Sequence, residues 1–184
     1  MNSQQLARRM QRVRPSPTAA ISDQVRELEA AGQAVINLGE GELDFSTPAT
    51  ISYAGIAAIV QHQTKYTAVS GTRELKQAIA HKFARDNHLN FAAQEIIAGS
   101  GAKQLIFNAL LATLDAGQQV IIPAPYWVSY PDMVTLAEGE PVIVACHEQH
   151  GWKLQPQDLA AALTPATRWV ILNSPGNPTG AIYS

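Results

Sequence analysis

From Glu95 onward, short apolar runs alternate with helix-forming stretches, and this rhythm constrains the fold more than any other feature of the chain. Glu95 to Ala98, Gln119 to Ile122, Pro141 to Ala145 and Arg168 to Asn173 read as strands. Between them, Lys103 to Leu114, residues 127–137 and Leu159 to Leu163 read as helices, with Ala116-Gly117 as a turn. The apolar runs are continuous rather than alternating, as in Trp169-Val170-Ile171-Leu172. A strand of that kind is buried on both faces, so the pattern predicts a parallel or mixed sheet covered by helices, with right-handed crossovers between parallel strands.

Upstream of that region the chain is mostly helical. Residues 18–31 read as a helix stopped by Gly32, and Val35 to Leu38 as a short strand. Thr47-Pro48 has the form of an N-cap followed by Pro at the first helical position, and opens a helix over about 48–62. Thr72 caps a further helix over about 73–87, with the stripe Leu75, Ile79 and Phe83. Met1 to Arg14 carries Arg8, Arg9, Arg12 and Arg14 and no acid. A transit peptide has that composition. So does an amphipathic first helix with Leu6, Met10 and Val13 on one stripe, and the lack of a Ser-rich tract favours the helix.

Composition narrows the function classes. The 184 residues suit about one domain. Hydrophobic residues at 46% and charged residues at 15% describe a globular chain. A net charge of -2 argues against a nucleic-acid binder working by bulk charge. The single Cys146 excludes a disulfide framework and a cysteine-rich zinc site. No apolar run reaches the ~18 residues of a membrane span. With no secretory apolar segment, and with a lone cysteine suited to a reducing compartment, the expected location is the cytoplasm.

In open α/β sheets, ligands bind beyond the carboxyl ends of strands. Three such ends are chemically unusual here. Gly99-Ser100-Gly101-Ala102-Lys103-Gln104 opens a helix with small residues, which leaves backbone N–H groups near a helix N-terminus where a phosphate is favoured. The same glycines also suit a tight strand-to-helix turn, and neither a dinucleotide fingerprint nor a P-loop is present. Pro123-Ala124-Pro125-Tyr126-Trp127-Val128-Ser129-Tyr130-Pro131 offers Trp127 either for stacking on a planar ring or as a core filler under a loop. Asn173-Ser174-Pro175-Gly176-Asn177-Pro178-Thr179-Gly180 fixes a backbone on which Asn177 presents an amide to an oxygen, or is simply a turn rich in turn formers. The Tyr-Trp and Asn-Pro turns are candidates for cis X–Pro bonds.

Taken together and in this order, the three segments resemble the class I aspartate aminotransferases among the fold-type I pyridoxal-phosphate enzymes. Residues 173–180 resemble that family's N-x-P-x-N-P-T-G loop, and residues 125–131 its segment with a ring-stacking Trp. Gly41-Glu42-Leu43-Asp44-Phe45 resembles its G-E-P-D-F, with Leu43 in place of Pro, and Lys65-Tyr66 its K-Y pair. The resemblance implies an incomplete three-layer α/β/α large domain with a mostly parallel sheet, preceded by an N-terminal helical arm. It divides the chain into 1–46, the arm and start of a small domain, and 47–184, a truncated cofactor-binding large domain.

By the same resemblance the cofactor is pyridoxal 5'-phosphate. Trp127 would stack on its ring, Asn177 would bond its 3'-oxygen, and the backbone at Gly101, Ala102 and Lys103 would hold its phosphate. Tyr66 would reach the phosphate of the other subunit of a homodimer. Gly41, Trp127 and Asn177 would line the substrate, and Ser16 and Thr18 would lie near the site entrance. The reaction implied moves an amino group from an amino acid, with aspartate as the usual donor, to a 2-oxo acid, without nucleic acid or membrane as partner. In that family the Schiff-base lysine follows the N-x-P-x-N-P-T-G loop. None of Lys65, Lys76, Lys82, Lys103 and Lys153 stands in its S-x-x-K context. The expectation is therefore an N-terminal part of an aminotransferase with no catalytic lysine of its own, poorly stable and inactive alone. The competing expectation is a non-catalytic relative that pairs with a full-length aminotransferase subunit.

Overall fold

Val120, Ile121 and Ile122 are each 0% exposed in the computed structural model, so the strand that carries them is covered on both faces. The structure describes residues 6–13, 15–39, 41 and 43–183. By chain order the helices are α1 (Pro17–Ala30), α2 (Ala49–Val60), α3 (Arg73–Asn87), α4 (Ala102–Thr113), α5 (Ser129–Leu136) and α6 (Pro156–Ala162). The strands are β1 (Gln119–Ala124), β2 (Glu140–Ala145) and β3 (Thr167–Val170). The chain forms two units, one of residues 1–37 with 106–184 and one of residues 38–105, and α4 runs across the boundary.

In the first unit β1 is the central strand of a parallel sheet ordered β2-β1-β3. Val120 faces Pro141 on β2 and Trp169 on β3, and Ile121 faces Val142 and Val170. The residue offset between Gln119 and Val120 breaks the β3 register once. Leu110 and Leu114 at the end of α4, Val120 and Ile122 from β1, and Tyr130, Met133, Val134 and Ala137 from α5 form one buried cluster. Trp169 packs against it and its indole N–H donates to Thr113 Oγ1 at 2.9 Å. Buried aromatics with a polar tip usually take such a partner.

α1 starts where Ser16 Oγ accepts from the Ala19 N–H at 3.4 Å. The arginine-rich start differs from its sequence reading. It is a 3-10 helix over Arg8–Arg12 that packs against α5 rather than a longer amphipathic helix, and residues 1–5 and 14 of that expectation lie outside the described residues.

The second unit holds α2, α3 and the turn that leads to α4. Thr72 caps α3 as its sequence predicts, its Oγ1 accepting from the Leu75 N–H at 3.2 Å. Replacing Thr72 by alanine should cost about 1 kcal/mol, read as a lower urea midpoint with an unchanged m-value. Pro48, not Thr47, is the N-cap of α2: its carbonyl takes the Ile51 and Ser52 amides, and its ring has no acceptor for a side-chain cap bond. Gly71, at φ 104°, is a close approach: a Cβ there would lie 3.0 Å from the Cβ of Ala98. The contact is held by the Ala98 N–H donating to the Ser70 carbonyl at 3.0 Å, while Lys76 Nζ donates to Ser70 Oγ at 3.1 Å.

Two expected strands are absent among the described residues. Val35 to Leu38 forms no strand, and at Glu95 to Ala98 a 3-10 turn over Ala93–Glu95 is followed by a run that makes the Ala98–Ser70 bond without a ladder. A strand is defined by a ladder of bonds to a neighbour, and neither segment forms one. No helix among the described residues is long and apolar enough to cross a membrane.

Candidate functional site

The loops that follow β1 and β3 leave the sheet at the same end, because the two strands are adjacent and parallel. That end is the carboxyl edge, where ligands of open α/β sheets bind. The first loop carries Tyr126 and Trp127, and the second carries Asn173 to Gly180.

After β1 the chain passes through a cis Ala124–Pro125 bond, and the Ala124 carbonyl accepts from the Cys146 N–H at 2.7 Å. Trp127 is half-buried. Its ring meets Tyr130 edge to face at 5.4 Å and 88°, and it packs on the core cluster. Burial pushes the Tyr130 hydroxyl above its ordinary pKa, so it stays protonated at neutral pH. The Cys146 thiol is likewise raised, first by burial and then by the Asp158 charge, which leaves it a packing group rather than a nucleophile.

The second loop is braced from within. Asn173 Oδ1 accepts from the Asn177 N–H at 2.9 Å, the Gly176 carbonyl from the Gly180 N–H at 2.7 Å, and the Ala181 carbonyl from the Gly176 N–H at 2.8 Å. Ser174–Pro175 and Asn177–Pro178 are both cis. The result holds Asn177 by its backbone and leaves its side chain exposed at the loop surface. Between the two loops lies a cavity of about 30 Å³, lined among others by Tyr126, Tyr130, Trp152, Asn173, Asn177 and Tyr183. That volume admits about one water and no aromatic ring.

The remaining expected site residues belong to the second unit. Gly41 and Tyr66 are exposed. The turn before α4 is shaped by Gln104, whose Oε1 accepts from the Ser100 N–H at 2.5 Å, and by the Gly101 N–H donating to the Gly99 carbonyl at 2.9 Å. Gly101 has φ 88° with open space where a Cβ would point, and Ala102 and Lys103 are exposed at the start of α4. The structure thus places the loops of Trp127 and Asn177 at one end of the sheet, and Gly101, Ala102 and Lys103 at the start of α4.

The family model for aminotransferases of class I and II matches residues 33–184. The chain belongs to that family. It is 56% identical over 173 residues to an aspartate/prephenate aminotransferase of Cereibacter sphaeroides, covering 94% of this chain and 43% of that protein. It is 51% identical over 179 residues to one of Nitrosomonas europaea, covering 97% of this chain and 45% of that protein. Among solved structures, the aspartate aminotransferase of Rhizobium meliloti superposes with a TM-score of 0.93 at 48% identity, covering 98% of this chain and 45% of that one. The Thermus thermophilus enzyme with maleate gives 0.95 at 42% identity, covering 97% and 47%. The chain therefore spans less than half the length of the curated relatives it matches.

These likenesses bear out the incomplete α/β domain of an aminotransferase with a parallel sheet and a helical N-terminal arm. The family's cofactor is pyridoxal phosphate. Within the first unit, an exposed Asn177 amide suits a ring oxygen of such a group. Sequence reasoning singled out both Trp127 and Asn177 but missed Asn173 and Gln104, which act by holding backbone amides. Their signal was only position: the first residue of one loop, and the place of an absent third glycine in the other.

Proposed function

We propose that these residues form the cofactor-binding part of an aminotransferase that moves an amino group between an amino acid and a 2-oxo acid. The observation that carries the reading is the placement of the Trp127 and Asn177 loops on adjacent parallel strands, β1 and β3, at one end of the sheet. Aspartate is the favoured donor, and prephenate one acceptor to test, because relatives are named for both.

When bound, pyridoxal phosphate supplies an electron sink for a carbanion at the amino acid's Cα. The chain's own residues would bind and orient. Trp127 offers one face of its indole to a planar ring. Asn177 donates its amide to the ring's 3'-oxygen, favouring the charged form of that oxygen. The helix start formed by Gly101, Ala102 and Lys103 would hold the phosphate, with the Gly101 N–H released from the Gly99 carbonyl it bonds here, and the Lys103 charge would add to the helix dipole. Tyr66, exposed in this chain, reaches the phosphate of the other subunit in a homodimer. Gly41 contributes backbone beside the substrate carboxylate. Residues 1–46 belong to the arm and small domain, and 47–184 to the cofactor-binding domain. The 184-residue chain by itself carries no lysine in the family's Schiff-base context and does not turn over.

The test is direct. Pyridoxal phosphate should quench tryptophan fluorescence of the purified chain, Trp127→Phe should remove most of that quenching, and ATP or NAD should cause none. Adding aspartate to the mixture should leave the cofactor absorbance unchanged. Quenching by nucleotides instead would refute the cofactor assignment, and a clear absorbance shift with aspartate would refute the inactivity of the chain.

A further inference from the structure

The internal bonds of the 173–180 loop define its shape, but they do not fix where it stands relative to the rest of the first unit. Ahead of the loop the Ile171 N–H donates to the Ile121 carbonyl at 3.0 Å, and beyond the loop the link comes from Tyr183. Its hydroxyl accepts from the Leu154 N–H at 2.8 Å, across 29 residues of chain. Its own N–H donates to Ser174 Oγ at 3.1 Å, at the base of the loop. Tyr183 thus grips the loop with its backbone and an outside segment with its side chain.

The outside segment is a built turn. Gly151 and Trp152 both adopt left-handed backbone, at φ 62° and 59°. The His147 carbonyl accepts from the Trp152 N–H at 3.1 Å, the His150 carbonyl from the Lys153 N–H at 3.3 Å, and Gln155 Nε2 donates to the Lys153 carbonyl at 2.9 Å. Leu154 is half-buried, so its N–H needs a partner, and the Tyr183 hydroxyl provides it. Trp152 and Tyr183 line the same cavity as Asn173 and Asn177.

We propose that Tyr183 is a positioning residue for Asn177. Its hydroxyl locks the 173–180 loop to the turn at 151–155, and Asn173 carries that placement to the Asn177 backbone. The inference rests on the reading that Asn177 meets the 3'-oxygen of the cofactor. It assigns Tyr183 no contact with cofactor or substrate.

The test uses the whole chain and its Tyr183→Phe, Asn177→Ala and Ser174→Ala variants. Amide exchange at Leu154 should rise about fivefold or more in Tyr183→Phe, which keeps the ring and removes only the acceptor. It should stay unchanged in Asn177→Ala. Affinity is measured by fluorescence for pyridoxal 5'-phosphate and for its 3-deoxy analogue, which lacks the ring oxygen. Tyr183→Phe should weaken the first by about tenfold and leave the second unchanged, as should Asn177→Ala. Ser174→Ala, which loosens the loop's other attachment to Tyr183, should discriminate in the same direction. Unchanged Leu154 exchange in Tyr183→Phe overturns the lock, and equal weakening of both ligands overturns the positioning role. If Asn177→Ala fails to discriminate, or the wild-type chain takes up neither ligand, the cofactor reading is what fails, and Leu154 exchange still decides the lock.

Discussion

Replacing Leu110 by alanine should destabilise the first unit by about 2–5 kcal/mol, whereas the same change at the next residue, Leu111, should cost less than about 1 kcal/mol. Leu110 is 1% exposed inside the cluster formed with Val120, Ile122, Tyr130 and Val134, and Leu111 is 49% exposed on the other side of α4. Truncating Leu110 removes buried methyl groups and leaves a cavity that β1 cannot close, because that strand is bonded on both edges. Truncating Leu111 mostly exchanges one exposed group for a smaller one. Urea unfolding followed by tryptophan fluorescence reads the difference, since Trp169 packs against the cluster. Similar losses at the two positions would show that the cluster does not hold the unit together.

Self-association is the other large effect. α2 has the sequence Ala-Thr-Ile-Ser-Tyr-Ala-Gly-Ile-Ala-Ala-Ile-Val and buries none of its residues, leaving Ile51, Tyr53, Ile56, Ile59 and Val60 exposed. A helix apolar on all sides is stable in water only when something covers it. At about 10 μM the purified chain should sediment as species heavier than its 19.8 kDa monomer. Ile56 and Ile59 lie three residues apart on one face, so changing both to glutamate should shift the distribution strongly toward monomer. A wild-type chain that stays monomeric at that concentration would refute this.

The parts of the fold that rest on local chemistry were legible in the sequence. Thr72 starts α3 because its hydroxyl reaches an amide three residues on, a relation contained within one turn. The strand over Gln119 to Ile122 was legible because three consecutive apolar residues suit burial on both faces. The motif loops at 123–131 and 173–180 were legible as unusual, and the family resemblance carried by them agrees with the matching family model. The functional roles at Trp127 and Asn177 came from that resemblance and not from periodicity.

What failed locally failed for one reason. Val35 to Leu38 and Glu95 to Ala98 have strand-like composition, yet a strand exists only through hydrogen bonds to a neighbour elsewhere in the chain. The same holds for the brace of the second loop: Tyr183 and Leu154 are ordinary residues until the chain brings them together.

By itself, then, the sequence determined the start of α3, the buried strand and the chemically unusual loops, all of which depend on residues within a few positions of one another. Only the tertiary structure decided the order β2-β1-β3, which puts the Trp127 and Asn177 loops on neighbouring strands. It also decided the Tyr183–Leu154 bond and the exposure of α2, because each is a relation between surfaces far apart in the chain.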